Sequence, residues 1–210
     1  MVQFAAEMIE WQKACGHLSR RDPVLRKIIR SFPGERLIPK RNAFLTLARA
    51  IIGQQISVKA ADSIFSRVAA LTGGVTPLSV TGTGPEGLRS CGLSVRKVEY
   101  LTRLATAFQE RSIRPAAWRR RSDGEIRAEL EAMHGIGRWT AEMFLIFHLQ
   151  RPDVLPIGDV GLLRSCVINY GWEPESVVRE LKAHSERWAP YRTVAVWYLW
   201  RSLDPVPVAY

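Results

Sequence analysis

A chain of 210 residues has room for one good core or two compact helical lobes, and not for several independent domains. Its 47% hydrophobic and 24% charged content excludes a disordered chain, while a net charge of +10 favours a polyanionic partner, nucleic acid first, or else a basic surface kept for solubility. Cys15, Cys91 and Cys166 stand apart without a C-x-x-C pair, giving no disulfide framework, zinc module or iron-sulfur pattern.

The N-terminal segment mixes acidic and apolar residues and lacks the continuous apolar core of a signal peptide. No stretch reaches the roughly 20 apolar residues of a membrane helix, so a cytoplasmic protein without membrane contact is expected. Phe4, Met8, Ile9, Trp11, Cys15 and Leu18 recur at helical spacing, which predicts a packed stripe. Asp22-Pro23 supplies an N-cap and a first-turn proline for the next helix, ended by Phe32-Pro33-Gly34-Glu35. The run from Arg36 to Arg41 then reads as a crossing between lobes.

Asn42 caps a predicted helix through Ile52, with Phe44, Leu47, Ala48, Ile51 and Ile52 on its buried face. Gly53-Gln54-Gln55-Ile56 interrupts it before Ser57 caps another. Two adjacent glutamine amides in such a turn can enter a DNA groove and bond base edges, or satisfy nearby backbone groups; both readings stay open. Thr72 to Gly84, rich in Gly, Thr and Ser, reads as a surface connection. A short helix after Pro85 stops at Cys91-Gly92, and Ser94 caps the next, with Val98, Leu101, Leu104, Ala105 and Phe108 inward. The basic run Arg111, Arg114, Arg119, Arg120 and Arg121, broken by Trp118, reads as solvated surface before it reads as a phosphate contact.

Ser122 with Glu125 forms a capping-box signature for a helix that ends at His134-Gly135-Ile136-Gly137, where a second helix starts at Arg138. Backbone N-H groups at such a helix start attract an anion, and the two glycines let a phosphate approach; alone, the pattern can equally be a tight interhelical turn. Asp159 follows a proline-rich connection and heads another helix, where an N-cap role and a chemical role are both available. Helices to Tyr170, from Glu173-Pro174 to Trp188 and from Tyr191 to Ser202 complete a pattern without a sustained strand, so an all-α fold is expected. His134, His148 and His184 form no dense ligand motif with nearby acids, and no metal site is expected.

HGIGRWTAEM at 134–143 with LPIGD at 155–159, AIIGQQISVKAA at 50–61, LRSCGLSVRKVEY at 88–100 and WAPYRTVAVWYLW at 188–200 together resemble the helix-hairpin-helix DNA glycosylase superfamily. The likeness covers about residues 17 to 203 and is greatest to the bacterial 3-methyladenine DNA glycosylase II, or AlkA, group. It implies a two-lobe fold with an interlobe active-site cleft. Residues 1–41 would return to pack with the C-terminal lobe 152–210, while 42–151 would form the central lobe, in the compact form without an added β-rich domain.

The resemblance further implies that Asp159 is the catalytic aspartate and that Trp139, Met143 and Trp200 bind the damaged base. Gln54, Gln55, Ser57, Gly135, Gly137, Arg138 and Thr140 would meet double-stranded DNA, with Gln55 at the wedge position where the best-known AlkA pattern has leucine. Trp139 stands where bifunctional members carry a lyase lysine, which implies a monofunctional enzyme leaving an abasic site without strand cleavage. No cofactor is required, although hairpin carbonyls can hold a monovalent cation. A monomer without an obligate protein partner is expected. Hypoxanthine, uracil or another damaged base is the alternative substrate, and a non-enzymatic DNA-binding module the alternative function. Arg192 is expected to brace the fold or the cleft by ion pairing rather than to move protons.

Overall fold

The computed structural model describes residues 2–203, with side chains described from Glu10 onward except at residue 58. In chain order the α-helices are α1 (Val2–Arg21), α2 (Pro23–Ser31), α3 (Ala43–Gly53), α4 (Val58–Thr72), α5 (Pro77–Ser90) and α6 (Val95–Gln109). They continue with α7 (Asp123–Glu131), α8 (Arg138–Phe147), α9 (Val160–Tyr170), α10 (Val177–His184) and α11 (Arg192–Arg201). Short 3-10 segments cover Pro115–Arg120 and Ser185–Trp188, and the described residues include no strand. The fold is all-α, in two lobes of helices. The side chains of Phe4, Met8 and Ile9 in the expected first stripe, and residues 204–210 of the expected C-terminal lobe, lie outside what is described.

Local chemistry sets the helix ends. Asp22, Asn42, Ser57, Ser94 and Ser122 each accept a backbone N-H in the first turn of the helix they precede. Gly73 and Gly171 close α4 and α9 in the left-handed conformation that a side chain disfavours.

One compact unit comprises Pro39–Leu149. The apolar faces of α3 and α6, with Leu47, Ile51, Leu101 and Leu104 inaccessible to solvent, form its centre. Trp118, from the run read as wet surface, is fully buried and meets Phe144 edge-on at 5.1 Å. The arginines around it stay exposed, while Trp118 and Ile113 anchor the segment. Lys40 N donates to Phe147 O at 2.8 Å and His148 Nδ1 lies 2.6 Å from Lys40 O, which fastens the start of the unit to its end.

The reading of Thr72 to Gly84 as a surface connection is corrected: helix α5 starts at Pro77. Thr76 and Ser79 form a reciprocal capping box, and Thr81 and Thr83 bond back to carbonyls one turn earlier. Hydroxyl groups typical of loops here complete a helix. Gly84, at φ 73°, bends it ahead of Pro85.

The other unit joins the residues up to Ile38 with those from Gln150. Leu18, Leu25, Leu162, Cys166, Leu181, Trp188 and Leu199 fill its core, and α11 packs on α1, α2 and α9. Asp22 lies at its centre: Oδ2 accepts from Tyr170 Oη at 2.8 Å and Trp188 Nε1 at 2.8 Å, and lies 2.7 Å from His184 Nε2. Its Oδ1 caps α2 through the amides of Val24 and Leu25.

Candidate functional site

The hairpin between α7 and α8 is built around the contrast between its glycines. Gly135 has φ +90°, and a Cβ there would lie 2.3 Å from Tyr100 Cγ, so the aromatic ring of α6 occupies the space that a side chain needs. Gly137 is different. Its φ of −88° is ordinary, nothing lies within 4 Å of a built Cβ, and as N-cap of α8 it offers no side-chain acceptor. The first amides of α8 therefore receive no side-chain cap from Gly137. Beside them is a shallow concavity of about 440 Å³ whose wall includes Gln54, Tyr100, Glu131, His134, Gly135 and Gly137.

The glutamine turn closes on this hairpin. Gln54 Nε2 donates to Gly135 O at 2.8 Å and lies 3.5 Å from Thr140 Oγ1, a hydroxyl that is itself buried. Gln54 thus satisfies a backbone carbonyl, whereas Gln55 is exposed and holds φ 58°, left-handed backbone that a non-glycine residue adopts at a cost. Ser57 is exposed and caps α4 by accepting from Ala60 N at 3.3 Å.

Arg138 is exposed along its stem, but Nε donates to Glu142 Oε1 at 2.9 Å. The hydrogen bond and charge of Glu142 hold the guanidinium firmly protonated. Glu142 is buried, and the sequence reading missed it although its spacing from Arg138 is that of a helical ion pair. Trp139 is half-buried on α8, and Met143, one turn later, is buried.

In the other unit, α9 and α11 position the acid. Asp159 caps α9 with Oδ1, which accepts from Leu162 N at 2.6 Å and from Trp200 Nε1 at 2.7 Å. The carboxylate is only 4% exposed. The two helices are knitted together by Ser165, which donates to Leu199 O, and by Asn169, which donates to Ser202 Oγ. Gly161 sits close against this pair: a Cβ there would lie a tight 3.2 Å from Asp159 Oδ1 and in ordinary contact, 3.5 Å, with Trp200 Cδ1. Tyr100 has no spacing signal, since it matters through Gly135, 35 positions away in sequence.

The loop before Asp159 is held from α11. Thr193 Oγ1 donates to Arg151 O and accepts from Val154 N, while Arg192 pairs with Asp153 and Glu186. Arg192 thus has the bracing pairs expected of it. A carboxylate held by two donors and an aromatic ring can stabilise developing positive charge and orient water. Within the Pro39–Leu149 unit, Gln54, Gly135 and Thr140 come together; in the other, Asp159 and Trp200 do. Among the described residues, no group of three His, Cys, Asp or Glu is arranged to hold a metal ion, and no helix is long and apolar enough to cross a membrane.

Known proteins share this architecture. The DNA-3-methyladenine glycosylase 1 of Schizosaccharomyces pombe is 33% identical over 90% of this chain and 86% of its own. The crystal structure of a DNA-3-methyladenine glycosidase from Bacillus halodurans is 35% identical with a TM-score of 0.78, covering 90% of this chain and 88% of that one. The S. pombe 3-methyladenine DNA glycosylase bound to abasic DNA is 31% identical with a TM-score of 0.79, covering 94% of this chain and all (100%) of that one. Residues 48–190 match the HhH-GPD superfamily base excision DNA repair protein family, and the chain belongs to that superfamily.

Proposed function

We propose that this protein is a monofunctional, AlkA-like DNA glycosylase that flips alkylated purines such as 3-methyladenine out of double-stranded DNA and releases them by hydrolysis. The observation that carries the reading is the Asp159 carboxylate, buried and oriented by Trp200 Nε1 and Leu162 N. The related proteins named as 3-methyladenine glycosylases support the choice of substrate.

In this reading the hairpin amides around Gly137, with Arg138 next in sequence, and Ser57 just after the glutamine turn hold the DNA backbone, while the Gln54–Gln55 turn probes the stack. The flipped alkylbase, electron-poor or cationic, would stack on Trp139 or Trp200, for a cation-π gain of about 0.5–2 kcal/mol. The bond between C1′ and the base nitrogen then breaks, and its electron pair leaves with the base. Asp159 stabilises the positive charge growing on the sugar and takes a proton from the water that attacks C1′. The products are a free base and an abasic site; without a lysine at position 139 no Schiff base forms and the strand stays intact. A monovalent cation suits the hairpin carbonyls, since Gly135 O retains a second lone pair beside its bond from Gln54, but the reaction does not need it. The protein would act as a monomer.

Base release from defined duplexes carrying 3-methyladenine, hypoxanthine or uracil tests this. Asparagine is also a good N-cap, so Asp159→Asn is expected to fold and bind DNA while losing at least about 100-fold in release rate. Equal rates in the two proteins would remove Asp159 from the chemistry. Release of hypoxanthine or uracil alone would reassign the substrate, and DNA binding without release of any base would leave a binding module.

A further inference from the structure

We propose that Lys97 is a positioning residue that holds the Gln54–Gln55 turn in its probing conformation, by bridging with its ammonium group the carbonyls of Ile52 and Gln54. This rests on the reading of that turn as the element that enters the duplex. The two bonds are 2.7 and 2.8 Å long and span more than forty positions of sequence, from the first turn of α6 to the end of α3. Ile52 O belongs to the last turn of α3, where carbonyls lack helical partners and a cation is favourable.

The lysine is itself fixed. Its backbone amide donates to the Ser94 cap at 3.3 Å, and its side chain is half-buried. Burial pulls its pKa below the ordinary lysine value, as expected of an ammonium that has given up water for carbonyls. Gln54 is thereby gripped at both ends, its carbonyl by Lys97 and its amide group against Gly135 O. Gln55 follows at φ 58°, and such backbone persists only where its surroundings impose it. An ammonium directed at two carbonyls inside the fold does not serve as a phosphate contact. Its loss should loosen the turn without removing a charge from the DNA footprint.

The test compares Lys97→Met and Lys97→Arg with wild type in single-turnover base release from two duplexes. One carries the lesion opposite a normal base; the other carries it opposite an abasic-site analogue, where unpairing is already done. Lys97→Met should be at least about 10-fold slower on the first duplex and within about 3-fold of wild type on the second. Its thermal midpoint should fall modestly, as two carbonyls lose their donor, while its affinity for undamaged DNA and its salt slope should not change. Lys97→Arg, which keeps the donors, should restore the rate. Equal losses on both duplexes, or a salt slope lower by about one, would overturn the proposal, the latter by making Lys97 a phosphate ligand. Amide exchange at Gln54, faster in Lys97→Met and slow again in Lys97→Arg, reads the turn directly and needs no base release. Failure of wild type to release a base would therefore count against the proposed function, and unchanged exchange at Gln54 against the role of Lys97.

Discussion

Asp22 shows how much a single side chain can hold. Burial alone would push its carboxyl up, but donors from His184, Trp188, the Leu25 amide and Tyr170 outweigh it and bring the pKa down to about 2. A carboxyl whose pKa falls on folding stabilises the protein above its unfolded value, and that contribution disappears as pH drops through the folded one. From the ordinary 3.8 to about 2, the difference is about 2 kcal/mol. Denaturant midpoints measured from pH 5 to about 2 should fall steeply for wild type and more shallowly for Asp22→Asn, which should also be less stable at neutral pH. Parallel curves would show that the network does not favour the anion. The sequence discloses Asp22 only as the cap ahead of Pro23, because its other partners lie about 150 positions away or more. Asp159 was legible in the same way: as a cap from its position, as a candidate acid from the motif, and as the partner of Trp200 only from the fold.

At the level of elements, helix boundaries were the most readable feature, since caps and turn glycines act over a few residues. Thr76 to Gly84 misled because serine and threonine carry the same hydroxyl into loops and into caps, and composition does not separate the two. The hairpin was located by its glycines, but they do different work. Gly135→Ala would drive a methyl into Tyr100 at a left-handed position, and should cost on the order of 3 kcal/mol in unfolding free energy. Gly137→Asp meets open space, and aspartate is a favoured N-cap, so the thermal midpoint should hold or rise. Its carboxylate would occupy the amides of α8 and repel phosphate, lowering affinity at least about 10-fold for damaged and undamaged duplexes alike. Anisotropy titrations beside thermal melts separate the two effects. Unchanged affinity in Gly137→Asp would detach DNA from the hairpin.

Across the whole molecule, the net charge of +10 gave the class of partner but no surface, because charge has no address until the chain folds. The helical class was legible from spacing throughout. The grouping of helices into units depends instead on contacts between the two ends of the chain, which periodicity does not encode. That grouping has a kinetic consequence. The unit holding Asp22 and Trp188 is assembled from two pieces of chain with Pro39–Leu149 between them, so closing it directly means closing a loop of more than a hundred residues. Once the intervening unit has folded, the bonds of Lys40 with Phe147 and His148 hold the ends of that loop together, and most of the closure entropy has been spent. Refolding should thus be sequential. Pulse-labelled amide exchange should show protection in α3, α6 and α8 before it appears at Val24 and Leu25, the amides that cap onto Asp22. During synthesis the first two helices would pack on each other and wait for the last ones to emerge.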